Sequence, residues 1–295
     1  MAVTSLNMEA VSRGVFPSLV TAIGPVLRNS IKVENVPGAK STVVNIFAER
    51  TGAEFTQATA NYTSSSAATT GVTVTFTEVY DYIKQNKLVV NQTPVDFAMA
   101  AVPVMGRAIA KKMFAMQNAL VLAATYTNTA ITSTAANWDA DDMADAATGL
   151  DVALASEQGR YAVLTPTYTG ALSKDTAIQA AYAFGDDGVI KRNVIPNVHG
   201  FEIAKVSSVA ASGDVANLVG WLAAPEAFAV GFRPSFENAD FGTSALIGSY
   251  TDPATGITIT TKFWDGNDGN YHIWAGLGFG ISAGQAAALT ILKSA

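Results

Sequence analysis

Residues 71–83, GVTVTFTEVYDYI, and residues 93–124, TPVDFAMAAVPVMGRAIAKKMFAMQNALVLAA, decide the fold. In the first stretch Val72, Val74 and Phe76 alternate with Thr73, Thr75 and Thr77. That period of two predicts a strand with one covered face. The second opens on Thr93-Pro94-Val95-Asp96, an N-cap threonine, a proline in the first turn and an acid three residues on. Pro103 restarts or kinks the helix. From Val104 onward Met105, Ile109, Met113, Met116 and Leu120 recur at spacings of 4, 4, 3 and 4, with Arg107, Lys111 and Asn118 on the other side. The pattern predicts a long helix over Val104–Ala124, roughly 30 Å, lying across a sheet.

Toward the N-terminus, residues 41–47 (STVVNIF) are β-branched and read as a strand. Between the two strands, Thr56 to Thr70 holds one aromatic, Tyr62, and neither charge nor branched aliphatic. Such a tract cannot pack a core of its own. It is either a surface loop or a long β-hairpin arm ordered on a neighbouring molecule. Residues 1 to about 40 read as an arm, because Pro17, Pro25 and Pro37 punctuate short apolar pieces, among them candidate short helices from about Met8 and around Pro17–Asn29, that need another surface to lie on.

Toward the C-terminus, a Thr-rich connection leads to Asp139–Ser156, where Met143, Ala146, Ala147, Leu150 and Leu154 have helical spacing. Asp139, Asp141 and Asp142 crowd its first turn, which is capping chemistry rather than a catalytic carboxylate pair. Residues 160–166 (RYAVLTP) read as a strand running into a turn, followed by a helix carrying Leu172 and Ile178. Strands follow at Phe201–Val209, at residues 220–230 (with a helix start at Pro225), and at 257–264, 271–281 and 288–292. The class is α+β, helices and strands interleaved by Thr and Gly turns.

The 295 residues carry 18 basic and 24 acidic side chains, a net charge of -6, which excludes a nucleic-acid reader held by a basic surface. Charged residues are 14% and hydrophobic ones 49%, against about a quarter charged in ordinary soluble domains. A surface that poor in charge suits extensive subunit contacts. The absence of cysteine excludes disulfides, zinc–thiolate sites and a cysteine nucleophile. The two histidines, His199 and His272, sit neither in HExxH nor beside a GxSxG elbow. Residues 265–270 (DGNDGN) resemble a calcium loop only in passing, since the twelfth position, residue 276, is glycine; a hairpin turn is the reading. Gly276, Gly278 and Gly280 stand too near the C-terminus for a dinucleotide fold and read as a strand packed closely on a neighbour. No catalytic, cofactor-binding or metal-binding residues are expected. Neither an export signal at residues 1–16 nor a run of about 18 apolar residues is found, so no membrane association is expected.

The order of elements — arm, two-stranded low-complexity excursion, strand, long helix, compact α/β region, closing strands — resembles the major capsid protein of tailed bacteriophages, the Hong Kong 97-like fold, over essentially the whole chain. The most specific stretch is Gly188-Val-Ile-Lys-Arg-Asn-Val-Ile-Pro-Asn-Val-His-Gly200-Phe201-Glu202-Ile203. It is similar to the family's "G-x-(I/V)-x-R … (V/I)-x-G-(F/L)-x-(I/V)" run into an axial-domain strand. Tyr161–Pro166 with Leu172 and Lys174-Asp175 resembles the family's strand, proline turn and helix. The resemblance implies an N-terminal arm (1–40), an extended loop (41–80), a peripheral domain with a spine helix (81–135), an axial domain (136–235), peripheral return strands (236–270) and C-terminal strands, axial/peripheral (271–295). It implies a structural protein, not an enzyme, that self-assembles through pentamers and hexamers into an icosahedral head enclosing double-stranded DNA. Its partners would include a portal and separate scaffolding or decoration proteins, in a virion assembled in the host cytoplasm. Phe16 and Leu19 of the arm, Phe55 and Tyr62 of the loop, Arg107 and Lys111 of the spine helix, and the pair Lys191 and Arg192 are the expected inter-subunit contacts. No lysine lies between Arg50 and Ile83, so the lysine–asparagine cross-link of some relatives is not expected. An encapsulin-like nanocompartment shell is the alternative within the fold. A β-rich surface adhesin or binding module, suggested by the Thr- and Gly-rich strands, is the alternative outside it.

Overall fold

The computed structural model describes residues 7–33, 39–47, 69–87, 94–183, 195, 197–207, 209, 216–235, 245–266 and 268–295. The chain runs α1 (Met8–Arg28), β1 (Ser30–Val33), β2 (Ser41–Phe47), β3 (Thr69–Asn86), α2 (Pro94–Asn118), β4 (Ile131–Thr132) and α3 (Ala140–Val152). Next come β5 (Tyr161–Leu164), α4 (Pro166–Leu172), α5 (Thr176–Ala183), β6 (Asn197–Val198), β7 (Phe201–Lys205), β8 (Leu218–Ala223) and a 3-10 turn (Pro225–Ala227). β9 (Phe228–Arg233), β10 (Leu246–Thr251), β11 (Thr258–Asp265), β12 (Asn270–Ala283) and β13 (Leu289–Lys293) complete it.

Two sheets with two separate cores organise these elements. In the first, β12 is the hub: β3 runs antiparallel along one edge, while β11 and β9 share the other, flanked by β10 and β1. Odd-numbered residues of β12 (Ile273, Ala275, Leu277, Phe279) face α1 and α2 and form the first core with Val79, Phe232 and Phe263. The second sheet is ordered β4-β13-β8-β5-β7-β6. Its core joins Trp138, Met143 and Leu150 to Val163, Leu164, Trp221 and Leu292. β9, from the segment 136–235, lies in the first sheet because its register is with β12, and the closing segment 271–295 is shared between the sheets, β12 in the first and β13 in the second, where it pairs with β8.

The expectation of a detached arm over residues 1–40 does not hold for residues 8–33. These form α1 and β1, folded into the first core. Asn7 caps α1, its Oδ1 accepting from the N–H groups of Glu9 and Ala10 at 3.1 and 3.2 Å. Pro17 and Pro25 lie inside this helix, each costing about 3 kcal/mol in an isolated helix. Val11, Val15, Leu19, Ile23 and Val26 bury their side chains almost completely along one stripe, each contributing about 1.5–3 kcal/mol. The stripe outweighs the two breaks. By length and composition α1 could also cross a membrane, but in this fold its apolar stripe is taken up by α2 and the sheet.

The long helix appears as expected but displaced: α2 is continuous through Pro103 and stops at Asn118, short of Ala124. Met105, Ile109 and Met113 are fully buried, whereas Leu120 has left the helix and packs against the second core. Gly106 sets the closeness of the α1–α2 crossing. A Cβ there would fall 2.6 Å from the Val15 carbonyl oxygen and 3.0 Å from the Leu19 nitrogen.

The two-stranded excursion is present at its root. β2 pairs antiparallel with β3 from Ser41–Thr75 to Phe47–Thr69, and residues 48–68 lie outside the described residues. Val72, Val74 and Phe76 are the covered face the alternation predicted. The Phe76 ring lies over Gly231, where a Cβ would come within 2.7 Å of it, and the β3 backbone at Thr75 crosses Gly280, whose Cβ would meet its carbonyl oxygen at 2.8 Å. The glycine-rich strand thus exists for close approach, as read from sequence. β11 and β12 pair antiparallel up to Asp265–Tyr271, a hairpin whose ends meet at the expected turn; residue 267 within it lies outside the described residues. His199 and Gly200 both have positive φ (47° and 82°) and join β6 to β7 as a two-residue turn.

Candidate assembly surface

Three exposed surfaces stand out once the cores are assigned. The first is the outer face of α2. Met99 and Val104 are 55% and 48% exposed, and Pro103, Arg107 and Lys111 follow on the same side of the helix. Among the described residues no ion pair reaches these cations.

The second surface is the outer face of α3. Asp139 caps this helix, accepting from Asp141 N–H at 3.0 Å and Asp142 N–H at 3.2 Å, as the acidic first turn predicted. Asp175, from the start of α5, reaches across: its Oδ2 accepts from the Ala140 N–H at 2.7 Å and its Oδ1 from the Ala177 N–H at 2.8 Å. With those carboxylates committed to backbone groups, Asp141 and Asp145 face outward. Val152 and Leu154 at the helix end are 81% and 63% exposed. Burial pushes the Asp142 carboxyl up from the usual carboxylate range, with the Asp139 and Asp145 charges adding to the rise. Behind the C-terminal end of α3, the Arg160 guanidinium is buried and donates to the carbonyls of Ser156, Ala155 and Ala147 and to Asp151 Oδ1.

The third surface is the face of the first sheet opposite the helices. Tyr80 and Tyr82 project from β3; Tyr80 stacks on Trp274 at 6.1 Å between ring centroids, and Tyr82 on Trp264 at 5.8 Å. The Lys262 ammonium sits 4.7 Å over the Trp274 ring. His272 is used here structurally. Its Nδ1 is 2.5 Å from the Tyr82 hydroxyl and its Nε2 3.0 Å from Asp268 Oδ1. Hydrogen bonds from His272 and Asn270 hold the Asp268 carboxyl well below the usual carboxylate range.

Of the expected contact residues, Arg107 and Lys111 are exposed on α2. Phe16 and Leu19 are a correction: they are 8% and 0% exposed inside the chain's own first core, Phe16 edge-on to Tyr250 at 5.8 Å. Their apolar surface is spent on α2 and β10, so they are not free to meet another subunit. Phe55, Tyr62, Lys191 and Arg192 lie outside the described residues. Sequence reasoning missed the acidic-apolar face of α3. Its signal was present in Asp141, Asp145 and Val152, which fall on the side of α3 opposite the buried Met143, Ala146 and Leu150.

A groove of about 680 Å³ runs between the start of α3 and α4–α5, but its carboxylates, Asp139 and Asp175, are the caps just described. Among the described residues no group of three or more acids or histidines gathers as metal ligands would.

No family model matches the sequence, and no curated protein matches it. Solved structures do. The capsid chain of the cyanophage P-SCSP1u is similar over 90% of this chain and 86% of its own, at 13% identity and a TM-score of 0.58. The mature capsid of bacteriophage PhiM1 is similar over 90% and 85%, at 11% identity and a TM-score of 0.55. A virus-like particle from Pyrococcus furiosus is similar over 95% and 98%, at 10% identity and a TM-score of 0.52. The chain has the α+β Hong Kong 97-like capsid fold.

Proposed function

We propose that this chain is the major capsid protein of a tailed bacteriophage, self-assembling into an icosahedral head that encloses double-stranded DNA. The observation that carries the reading is the likeness to phage capsid chains over about nine tenths of the chain, which leaves little of it for another task. The surfaces agree. Exposed apolar side chains on α2, α3 and β3 (Met99, Val152, Tyr80) need covering, and a shell of repeated weak contacts covers them without any single tight interface. In this reading the first sheet with α1 and α2 is the peripheral domain, the second sheet with α3–α5 is the axial domain, and β2–β3 is the root of the extended loop. A portal, with scaffolding or decoration proteins, would complete the head, assembled in the host cytoplasm. The net charge of -6 keeps packaged DNA from adhering to the wall.

The experiment is electron microscopy of the purified, concentrated protein. Closed shells tens of nanometres across are the expected result, and a chain that remains monomeric at every concentration refutes it. The virus-like particle from Pyrococcus furiosus, matched over 98% of its length, favours one second reading, a nanocompartment shell. Shells isolated from the native source distinguish the two: nucleic acid inside supports the phage head, and a protein cargo on the inner wall supports the compartment.

A further inference from the structure

The outer faces of α2 and α3 match each other in charge, spacing and polarity, although they sit on different cores of the same chain. On α2, Arg107 and Lys111 are four residues apart, and so are Asp141 and Asp145 on α3. On a helix that separation is about 6 Å. Set antiparallel, Lys111 meets Asp141 and Arg107 meets Asp145. The next turns then bring Pro103 and Val104 onto Gly149, and Met99 onto Val152. Gly149 has open space where a Cβ would stand, so the proline and valine of a partner helix can approach its backbone. Met99, Val104 and Val152, all strongly exposed, would form the apolar end of the contact.

We propose that α2 of one copy of this chain docks antiparallel on α3 of the next. The contact is heterologous, joining two different patches, so it propagates from copy to copy and closes as a ring when the rotation allows. Helix faces of this length bury less than the roughly 800 Å² per partner of a stable pairwise complex. The contact is weak singly and holds through the ring. It rests on the shell reading and deepens it by naming the complementary surfaces within a capsomer.

The test uses the full chain with charge reversal on each side: Arg107→Glu with Lys111→Glu, Asp141→Lys with Asp145→Lys, and all four together. Sedimentation velocity and electron microscopy read assembly, and circular dichroism melts confirm folding. Either reversal alone should raise the concentration needed for assembly by at least about tenfold, since like charges then face each other. The fourfold exchange should restore assembly. Because Asp141 lies in the first turn of α3, Arg107→Asp with Asp145→Arg repeats the exchange without touching the helix start. Folded single-side reversals that assemble like the wild type, or an exchange that fails to restore assembly, overturn the contact and leave the shell reading standing. Wild-type oligomers that respond to the exchange but never close into shells overturn the shell reading and keep the contact. A wild-type chain that never self-associates overturns both.

Discussion

Gly106→Ala should destabilise this protein, although alanine is the better helix former by about 1 kcal/mol. The added methyl would stand 2.6 Å from the Val15 carbonyl oxygen and 3.0 Å from the Leu19 nitrogen, and against Ser18 Oγ. An ordinary carbon–oxygen contact is about 3.3 Å or more, so α1 must retreat by about 0.7 Å. A gap of 0.5–1 Å forfeits roughly a quarter to a half of each dispersion contact across it. The contacts in question are those of Val11, Val15, Leu19, Ile23 and Val26, all at 0–1% exposure. Overpacking of this kind costs about 1–3 kcal/mol. Set against the propensity gain, the net loss is up to about 2 kcal/mol. Gly170→Ala in α4 is the control: its Cβ meets nothing within 4 Å and no proline follows it, so the helix gain of about 0.5–1 kcal/mol should appear undiminished. Urea denaturation of the unassembled subunit measures both. A Gly106→Ala variant more stable than the wild type by the full helix gain of about 1 kcal/mol, with an unchanged denaturant slope, would refute the close-crossing argument.

Other outcomes follow from the same geometry. Asp175→Ala removes acceptors from the first N–H of α3 and from Ala177 at the start of α5; two lost caps should cost about 1–3 kcal/mol in the same urea assay. Arg160→Met leaves three carbonyls and the Asp151 carboxylate without their donor, and should cost about 2–4 kcal/mol, with Arg160→Lys giving little rescue because one ammonium cannot span the four acceptors. Gly231→Val would drive a side chain into the Phe76 ring and should expose β2–β3 to limited proteolysis, while the second core keeps its melting behaviour. The folded-state pKa of Asp268 lies below its unfolded value, so its stabilisation is full above about pH 4 and declines as pH falls through the depressed value. Asp268→Asn should therefore flatten the acid limb of a melting-temperature profile below pH 4, and an unchanged limb would count against the His272–Asp268 bond.

The strand at 71–83 and the Met-spaced helix were legible because each needs only local periodicity. Asp139 was legible as a cap for the same reason. The α1 helix was legible only as two pieces, from about Met8 and over Pro17–Asn29, because local reading weighs Pro17 and Pro25 as breaks and cannot see the surfaces that bury Val15, Leu19 and Ile23. The division between cores was likewise out of reach: β1 pairs in parallel with β9, nearly two hundred residues away, and no nearby residue encodes that register. The α3 acids were visible but read only as helix-end chemistry, since a docking face is defined by what is left unburied, and burial is known only from the fold.

β3 is one unbroken strand of 18 residues, about 60 Å from end to end. Its first part carries the hairpin partner β2, and its remainder lies in register along β12 from Phe76–Gly280 to Asn86–Asn270. A tug on the hairpin tip is therefore delivered lengthwise to that ladder, which must slide all its bonds at once rather than peel them one by one. Tension between bricks in a pressurised wall would meet a splice loaded in shear, anchored in the densest part of the subunit.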